Sequence, residues 1–467
     1  METLNLKEIE KDEDVYPRQR INHKTIENYL EALKAGAKFP PIEVQRIFEG
    51  EEEKVVVLDG LHRIEAYKLC DRSEIDVEYW KDEVLDKAEH LEDLRIRSLQ
   101  ANLNHGLRVA EGDIGYQASR IVKDRPLEKL KGIVKELADK FGVTESTMSE
   151  LVGELVRRKR ASRDSVIYGM SLLGWTQREI ADVMGMDFTA ISKNLKKFGT
   201  ELFQLFCQEY ESGMSPENIA SQHGLTLPVL WSILLKGKSD LERFELLKRD
   251  DLPKLYDIWN FSERDKRFGI EYPGNIPAGI VLNTLYYYTK QGDLVVDPMA
   301  GGGVVVDCCL AMGRRCRSFD IELVRKEIEF NDITKGYPKK AKNCDLVFLD
   351  PPYYKKKEAD YGSESVSSLD RNSYLNAFDT IANNSLKTIK QGGFLAFLME
   401  PYIDYQQSEK SIWVYEYIFI FTKRGWKVER VFDVPESSQR YQAHDVERAK
   451  KNKQILTLRR QLLIFRR

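Results

Sequence analysis

The alternation of apolar and polar positions divides the chain into three regions. Residues 1–110 carry apolar segments typical of strands at PPIEVQRIF and KVVVLDG, followed by a helical pattern at LHRIEAYKLC, which predicts a small α+β domain. Residues 111–245 carry amphipathic helical patterns without a convincing strand. Residues 246–467 alternate strand and helix patterns, which predicts an α/β domain with a largely parallel sheet. Its last two predicted strands have no predicted helix between them, so we expect an antiparallel hairpin at one sheet edge.

Length and charge narrow the class of protein. The chain has 467 residues, of which 42% are apolar, enough for two to four packed domains. Its formal net charge is only −3, so the whole chain is no polycation. Basic residues nevertheless outnumber acidic ones between 120 and 200, and this part of the chain can face nucleic acid.

The sequence also predicts the compartment. The N-terminal segment lacks the apolar core of a secretory signal, and no apolar run is long enough to span a membrane. The six cysteines form no CxxC pair and have no histidine spacing suited to zinc. We therefore expect a cytoplasmic protein with reduced, buried thiols, no membrane partner and no metal site.

Candidate chemistry begins in the stretch GDLVVDPMAGGGVVVDCCLAMGRRCRSFDIE, residues 292–322. An apolar strand ends at Asp297, a glycine-rich turn follows at 300–303, and then an amphipathic helix begins. Glycines at such a turn let a ligand approach the backbone and the free amides of the helix N-terminus. The next strand ends at Asp320, at a spacing where an acid can bind ribose hydroxyls. A dinucleotide-binding domain is the alternative, but the spacing is not GxGxxG and an acid before the turn fits a cationic ligand better.

A second candidate site follows in the stretch CDLVFLDPPYY. The segment DLVFLD is typical of a buried parallel strand, and its last residue is Asp350. Ligands of such sheets bind beyond the carboxyl ends of the strands, where Asp350, Asp297 and Asp320 would all project. Pro351 and Pro352 fix the backbone that follows. The resulting bend presents a carboxylate, an unoccupied backbone carbonyl and the ring of Tyr353, which together suit a planar aromatic amine.

DPMAGGG followed by DPPY resembles the two motifs of S-adenosylmethionine-dependent amino-methyltransferases that act on DNA, over residues 265–467. The resemblance implies a Rossmann-like, seven-stranded methyltransferase sheet, S-adenosyl-L-methionine as cofactor, and direct methyl transfer to the exocyclic amine of a flipped base. The catalytic residues it implies are Asp350, Pro351, Pro352 and Tyr353. The cofactor-binding residues it implies are Ile276, Pro277, Asp297, Pro298, Met299, Ala300, Gly301, Gly303, Asp320, Ile321 and Asp332. The chain departs from the family at Val304, where relatives often carry threonine.

The resemblance leaves the substrate open at several levels. A DPPY motif favours adenine-N6, and cytosine-N4 is the main alternative. Methyltransferases of RNA or protein amines use the same catalytic residues, although helix-turn-helix units favour duplex DNA. A different class is a ParB-like DNA-binding regulatory or partition protein with an accessory transferase domain, and the intact DPPY motif argues against it. No nuclease motif is apparent, so a partner restriction enzyme would be a separate chain.

The helical region contains three segments with helix-turn-helix spacing, in which alanine is followed four positions later by glycine and six further by an apolar residue. The predicted units cover about 133–155, 176–197 and 215–235. A helical hairpin with a packing role is the alternative for each, and Pro228 lies inside the recognition helix of the third. The predicted partner is double-stranded DNA, with a homodimer left open. The predicted DNA-contacting residues are Thr189, Ser192, Lys193 and Asn194 in the second unit and Arg157, Arg158 and Arg160 after the first.

The first region resembles the ParB/sulfiredoxin-like superfamily over residues 10–110, through VVVLDGLHRIEAYKLC and ANLNHG. This resemblance implies a phosphate or nucleotide site at Gly60, His62 and Arg63, where a glycine precedes a helix N-terminus. A nucleoside triphosphate is the candidate ligand, with DNA binding or a scaffold role as alternatives. The chain lacks the double arginine of ParB proteins, so nucleotide hydrolysis is not implied.

Overall fold

The computed structural model describes residues 2–18, 21–104, 110–261, 263–355, 365–404, 407–437 and 441–467. The chain forms two compact units, Met1–Arg160 and Ala161–Arg467. The helical region predicted at 111–245 is therefore divided between the two units. Among the described helices, none combines the length and the apolar character needed to cross a lipid bilayer.

The first unit combines a mixed sheet with helices. Its described strands are β1 (Glu2–Asn5), β2 (Ile9–Glu10), β3 (Ile42–Glu49), β4 (Glu52–Asp59), β5 (Glu74–Tyr79) and β6 (Leu85–Asp86). Its helices are α1 (His23–Lys34), α2 (Leu61–Leu69), α3 (Lys87–Asn104), α4 (Glu111–Asp124) and α5 (Ile133–Phe141), and α6 (Glu145–Leu172) begins in it. The strands lie in the order β1-β5-β3-β4-β2, with β6 beside β3. The sheet buries Val44, Val57 and Val77 against Leu61 and Ile64 of α2.

The second unit continues with helices and then alternates strands and helices. Its remaining described helices are α7 (Gln177–Met184), α8 (Phe188–Lys197), α9 (Phe203–Glu211), α10 (Pro216–His223), α11 (Leu227–Leu234), α12 (Asp240–Leu246), α13 (Ala278–Tyr288), α14 (Val304–Met312), α15 (Arg371–Thr388), α16 (Val414–Lys423) and α17 (Ala443–Asn452). Its described strands are β7 (Leu294–Asp297), β8 (Arg315–Asp320), β9 (Ile328–Phe330), β10 (Cys344–Leu349), β11 (Ile389–Met399), β12 (Lys427–Asp433) and β13 (Gln461–Arg466).

These seven strands form one sheet in the order β12-β13-β11-β10-β7-β8-β9. Strand β13 is antiparallel to both neighbours, whereas the other neighbouring pairs are parallel. The prediction of a parallel-rich, seven-stranded sheet is thereby confirmed. The expected hairpin needs a correction, because β12 and β13 do pair at the sheet edge but α17 lies between them in the chain.

The sheet order brings two predicted site residues to neighbouring positions. Strand β7 leads to β8 and β9 on one side, whereas β10 pairs with β7 on the other side and leads to β11. Asp297 is the last residue of β7 and Asp350 directly follows β10. Ligands of open parallel sheets bind where the strand order reverses in this way. Both acids therefore lie at the place in the sheet where binding is expected.

The chain forms a helix pair at each of the three predicted helix-turn-helix units: α5 with α6, α7 with α8, and α10 with α11. The turn glycines Gly142, Gly185 and Gly224 have φ angles of 64°, 57° and 67°, in the left-handed region that glycine tolerates best. The spacing thus encodes helix pairing. Pairing alone does not distinguish DNA recognition from packing.

The third helix pair has a packing role. Helix α11 buries Val229, Leu230, Trp231 and Ile233, and its Ser232 hydroxyl donates to the Leu310 carbonyl of α14. In contrast, α8 of the second pair buries Ile191 alone among its described side chains. A helix that is apolar on every side is expected in a protein core. The packing alternative therefore applies to α11, whereas α8 keeps an exposed face.

Candidate active site

A cavity of about 1420 Å³ is lined by residues at the carboxyl ends of β7, β8 and β10. The predicted catalytic residues Asp350, Pro351, Pro352 and Tyr353 all line it. The predicted cofactor-binding residues Ile276, Pro277, Asp297, Pro298, Met299, Ala300, Gly301, Asp320, Ile321 and Asp332 line it as well. Gly303 lies outside the lining and serves instead as the N-cap of α14, with a φ of 80°. The structure therefore brings the two sequence motifs to one cavity.

Residues 350–353, which follow β10 and are called the acidic corner below, are held by local hydrogen bonds. The Tyr353 hydroxyl donates to Asp350 Oδ1 at 3.1 Å. Burial, and then the charge of Asp350, raises the pKa of the Tyr353 hydroxyl well above its usual value, so this group stays protonated and remains a donor. The Pro352 carbonyl accepts a hydrogen bond from the Tyr374 hydroxyl at 3.4 Å. This bond links the bend to α15, which carries Tyr374.

The glycine turn after β7 is organised by Asp320 of the neighbouring strand. Asp320 Oδ2 accepts the Gly301 amide at 2.8 Å, and Oδ1 accepts the Glu322 amide at 3.0 Å. Asp297 Oδ1 accepts the Met299 amide at 3.3 Å. One carboxylate thus links the ends of β7 and β8 while it lines the cavity.

A segment that precedes α13 packs directly on this turn. A Cβ added to Gly302 would lie 2.5 Å from Asn275 Oδ1 and 2.8 Å from Tyr272 Cβ, closer than real Cβ atoms approach. The side-chain amide of Asn275 donates to the Ile270 carbonyl at 2.6 Å, and the Tyr272 hydroxyl donates to the Glu322 carboxylate at 2.8 Å. Tyr272 and Asn275 also line the cavity, and the sequence analysis did not identify either. The sequence YPGN, residues 272–275, contains a proline and a glycine that indicate a bend, but it does not indicate the contact with the glycine turn.

Three aspartates, Asp297, Asp320 and Asp350, line the cavity. Asp297 is 2% exposed, and burial raises the pKa of its carboxyl well above the usual value, with further increases from Cys316, Asp320 and Asp350. Burial also raises the pKa of Asp320. Carboxylates that share a poorly solvated site repel one another, and a nearby cation relieves that repulsion.

Another part of the cavity lining combines an acid with apolar surfaces. Asp332 Oδ1 caps the short helix Ile333–Lys335 by accepting the Thr334 amide at 3.0 Å. Ile321 and Phe330 line the same cavity and expose 47% and 68% of their surface. Such exposed apolar faces suit a planar ring. Phe330 was missed from the sequence, because it follows neither motif.

Two charged residues from the last part of the chain also line the cavity. Glu436 follows β12, and Arg460 directly precedes β13. Neither lies in a motif, and Arg460 reaches this end of the sheet because it precedes the reversed strand β13. Within the described ranges, no group of three or more His, Cys, Asp or Glu side chains is arranged to hold a metal ion.

The predicted DNA-contacting residues differ in exposure. On α8, Thr189, Ser192 and Lys193 are exposed, whereas Asn194 is half-buried. Thr189 also donates its hydroxyl and its amide to the cap residue Asp187. In the first unit, the exposed side chains Arg157 and Arg158 both pair with Glu154, and Arg160 donates to the Leu130 carbonyl at 3.2 Å. These groups remain candidates for phosphate contacts within their own units.

The predicted phosphate site in the first unit has internal partners for both of its side chains. The Arg63 guanidinium donates to the carbonyls of Pro40 and Pro41 at 2.6 and 2.9 Å and to Asp59 at 2.7 Å. His62 is buried and accepts the Asn22 amide at 3.0 Å, and burial lowers its pKa to about 4, so the ring is neutral near pH 7. Both side chains therefore contact other parts of the first unit. The phosphate or nucleotide site at Gly60, His62 and Arg63 stays a prediction.

Comparison with known proteins gives one informative match. A family model described as DNA methylase matches residues 208–331, which include the glycine turn and end before the acidic corner. No curated protein matches the chain. The match supports a methyltransferase that acts on DNA, without resolving the methylated base.

Solved structures of methyltransferases match about two fifths of the chain. TrmN from Thermus thermophilus is 11% identical at a TM-score of 0.27, over 42% of this chain and 50% of that one. The chain thus spans half the length of that protein. An S-adenosylmethionine-dependent methyltransferase from Archaeoglobus fulgidus is 13% identical at a TM-score of 0.27, and the match covers 40% of this chain and 93% of that one. The N-methyltransferase NodS from Bradyrhizobium japonicum, solved with S-adenosylhomocysteine, is 14% identical at a TM-score of 0.25, and the match covers 40% of this chain and 84% of that one.

Proposed function

We propose that the protein is a DNA methyltransferase that transfers a methyl group from S-adenosylmethionine to the exocyclic amine of a flipped base, with adenine-N6 favoured. The observation that carries the proposal is the convergence of Asp350 and Tyr353 with Asp297 and its glycine turn on one cavity. The match of residues 208–331 to the DNA methylase family supports it independently.

The residues around the cavity fit the cofactor. Gly302 leaves no room for a side chain at the turn. The buried acid Asp297 and the half-buried acid Asp320 suit a ligand that carries positive charge and ribose hydroxyls. We assign Asp332 with the apolar Ile321 to the adenine, and the segment around Ile276 to the methionine end. When bound, S-adenosylmethionine supplies an electrophilic methyl group on a sulfonium.

The acidic corner would bind the acceptor amine. The Asp350 carboxylate accepts one N–H of the amine, and the same carboxylate stabilises the positive charge that develops on the nitrogen during transfer. The Tyr353 ring stacks on the face of the base and offsets part of the few kcal/mol that extrusion from the duplex costs. No nucleophilic side chain is required, so this route has no covalent enzyme intermediate. Cytosine-N4 remains the alternative, because its amine presents the same N–H groups.

We assign DNA binding to the exposed face of α8 and to the arginines of α6. Ser192 and Lys193 are exposed on α8, and Arg157 and Arg158 are exposed on α6. Lysine and arginine side chains of this kind neutralise phosphates, and contacts from a recognition helix to base edges select sequence. The third helix pair takes no part in this assignment, because α11 is buried.

The test is a methyl-transfer assay with tritiated S-adenosylmethionine, in which duplex DNA, RNA and protein are offered separately. Label in DNA that chromatographs as N6-methyldeoxyadenosine after digestion is the expected result. Label in N4-methyldeoxycytidine would select the alternative base. Label only in RNA or protein, or no transfer to any acceptor, would show that the proposal is wrong.

A further inference from the structure

Arg460 is a buried cation in the wall of the active-site cavity. It is 6% exposed and lines the cavity together with Asp350 and Tyr353. Its Nε donates to the Val434 carbonyl at 3.3 Å, and its Nη1 lies 3.7 Å from Glu436 Oε1. These contacts involve the Nε and Nη1 atoms of the guanidinium, and Glu436 is an ion-pair partner for its charge. A charged group is seldom buried without a role for its charge.

The sheet register explains how this cation reaches the acidic corner. Met399 of β11 pairs with Gln461 of β13 in the antiparallel ladder, so the next residues beyond this pair are Glu400 and Arg460. Strand β11 also pairs with β10, whose end carries Asp350. Arg460 is therefore presented at the same sheet end as the acid, two strands away. Its charge reaches the Tyr353 hydroxyl, where it opposes the increase in pKa that burial causes.

The chemistry of the amine-bearing bases gives this cation a partner. In adenine, the amino group has the ring nitrogen N1 beside it, and in cytosine it has N3, and both nitrogens accept hydrogen bonds. Thymine presents an N–H donor at the equivalent edge. A guanidinium has five N–H donors and no acceptor, so it can bind an accepting ring nitrogen and is repelled by a donor.

Resting on the proposed function, we propose that Arg460 donates a hydrogen bond to the ring nitrogen beside the amine of the flipped base. This bond orients the amine towards Asp350 and selects bases that carry an acceptor at that edge. The base would then be held by three groups from two strand ends: the Asp350 carboxylate, the Tyr353 ring and the Arg460 guanidinium. Arg460 is thus assigned as a specificity-determining residue of the base pocket.

The first arm of the test changes the base. Once wild-type methylation of unmodified duplex DNA has established the activity and its site, the target adenine is replaced by 1-deazaadenine, or a target cytosine by 3-deazacytosine. Removing the ring nitrogen also weakens its base pair and makes extrusion easier. The expected result is nevertheless a loss of about 10- to 100-fold in kcat/KM, the size of one hydrogen bond to a charged group. Equal rates on both duplexes would overturn the assignment of Arg460.

The second arm changes the side chain. Arg460→Met should lower kcat/KM on the unmodified duplex by a similar factor and should abolish the difference between the two duplexes. Arg460→Lys keeps a charge without the fork of donors and should retain part of that difference. Arg459→Met is the matched control, since the neighbouring Arg459 side chain is 60% exposed. It should behave as the wild type on both duplexes.

Each outcome separates the base contact from a structural role. If Arg460→Met and the deaza base reduce the rate additively, Arg460 does not contact that nitrogen and the proposal fails. If Arg460→Met does not fold, as thermal unfolding would show, Arg460→Lys and the wild-type comparison of the two duplexes still decide. A wild type that methylates no DNA refutes the proposed function itself. That result is distinguishable from activity that is indifferent to the ring nitrogen.

Discussion

The Tyr353 hydroxyl donates a hydrogen bond to Asp350 Oδ1 at 3.1 Å, so the tyrosine side chain and the carboxylate of the acidic corner are bound to each other. An amine that approaches Asp350 competes with this hydroxyl for the carboxylate. Under the proposed function, the Tyr353 ring and its hydroxyl would have separable effects: the ring would stack on the base, whereas the hydroxyl occupies one site on the acid.

Substitution of Tyr353 should separate these effects. Tyr353→Phe keeps the ring and should retain kcat/KM within a few-fold of the wild type. Tyr353→Ala loses the stacking surface and should lower kcat/KM by about 10- to 100-fold, as expected for one base–aromatic stack. Steady-state methylation kinetics provide the measurement. Equal losses in the two variants would show that the hydroxyl, not the ring, is required.

Loss of the acid should be more severe. Asp350→Ala removes the group that accepts the amine N–H, and we expect a decrease in kcat of about 10²- to 10³-fold or more. DNA affinity, measured by gel shift, should change little because the proposed phosphate contacts involve other residues. Asp350→Asn is the matched control for volume, and it should also be impaired because it replaces an acceptor-only group by a partial donor. An Asp350→Ala variant with normal transfer would refute the role of this residue.

The buried acid Asp297 should make stability depend on pH. Its pKa is raised in the folded protein, so above the usual carboxyl pKa the folded state binds more protons than the unfolded state. The stability contributed by Asp297 is therefore present at low pH and decreases as pH rises towards the raised pKa. Asp297→Asn should gain in Tm relative to the wild type as pH increases from about 4 to 8, while its affinity for S-adenosylmethionine falls. Parallel Tm profiles of the two proteins across that range would contradict the prediction.

The fit of the glycine turn can be tested with two alanine substitutions. Gly302→Ala would place a Cβ 2.5 Å from Asn275 Oδ1 and should displace the segment around Tyr272, with a loss of at least about tenfold in cofactor affinity. Gly199→Ala is the matched control, since no atom lies within 4 Å of its added Cβ. Its affinity should equal that of the wild type. Calorimetric titration with S-adenosylmethionine measures both, and an unchanged Gly302→Ala variant would refute the contact.

The second and third helix pairs should respond differently to substitution. Lys193→Ala on α8 should leave Tm unchanged and should lower the slope of log affinity against log salt by about 1, as expected for one lost phosphate contact. Trp231→Ala on α11 should instead destabilise the second unit by about 3–5 kcal/mol, the usual loss for a buried tryptophan. Salt-dependent DNA binding and thermal unfolding distinguish the two. A normal salt slope in Lys193→Ala would remove α8 from the proposed DNA interface.

The sequence was most informative where the backbone itself carries the site. Asp297 and Asp350 end or follow buried strands, and the strand pattern together with the motifs placed both at one sheet end. Arg460 could not be found in this way, because it reaches the cavity through the pairing of β13 with β11, a contact between distant parts of the chain. The contact of Asn275 with the glycine turn was missed for the same reason.

The second and third helix pairs show what the helix-turn-helix spacing does not predict. Gly185 and Gly224 occupy the same place in their units and adopt the same backbone conformation, yet α8 is exposed and α11 is buried. The rule specifies how two helices meet and says nothing about the surface on which they dock. The continuous apolar run LPVLWSILL was the available signal for burial. The pattern at His62 and Arg63 likewise does not reveal the internal contacts of these side chains, such as the hydrogen bond from Arg63 to Asp59.

The position of β13 between β11 and β12 has a consequence for how the second unit assembles. Strand β11 is separated in the chain from β13 by α16, β12 and α17, so we expect their pairing to form in a long-range step of folding. Before that step, the unpaired edge of β11 would be open to strands of other molecules. Refolding yield should therefore decline steeply with protein concentration, and dilution should rescue it.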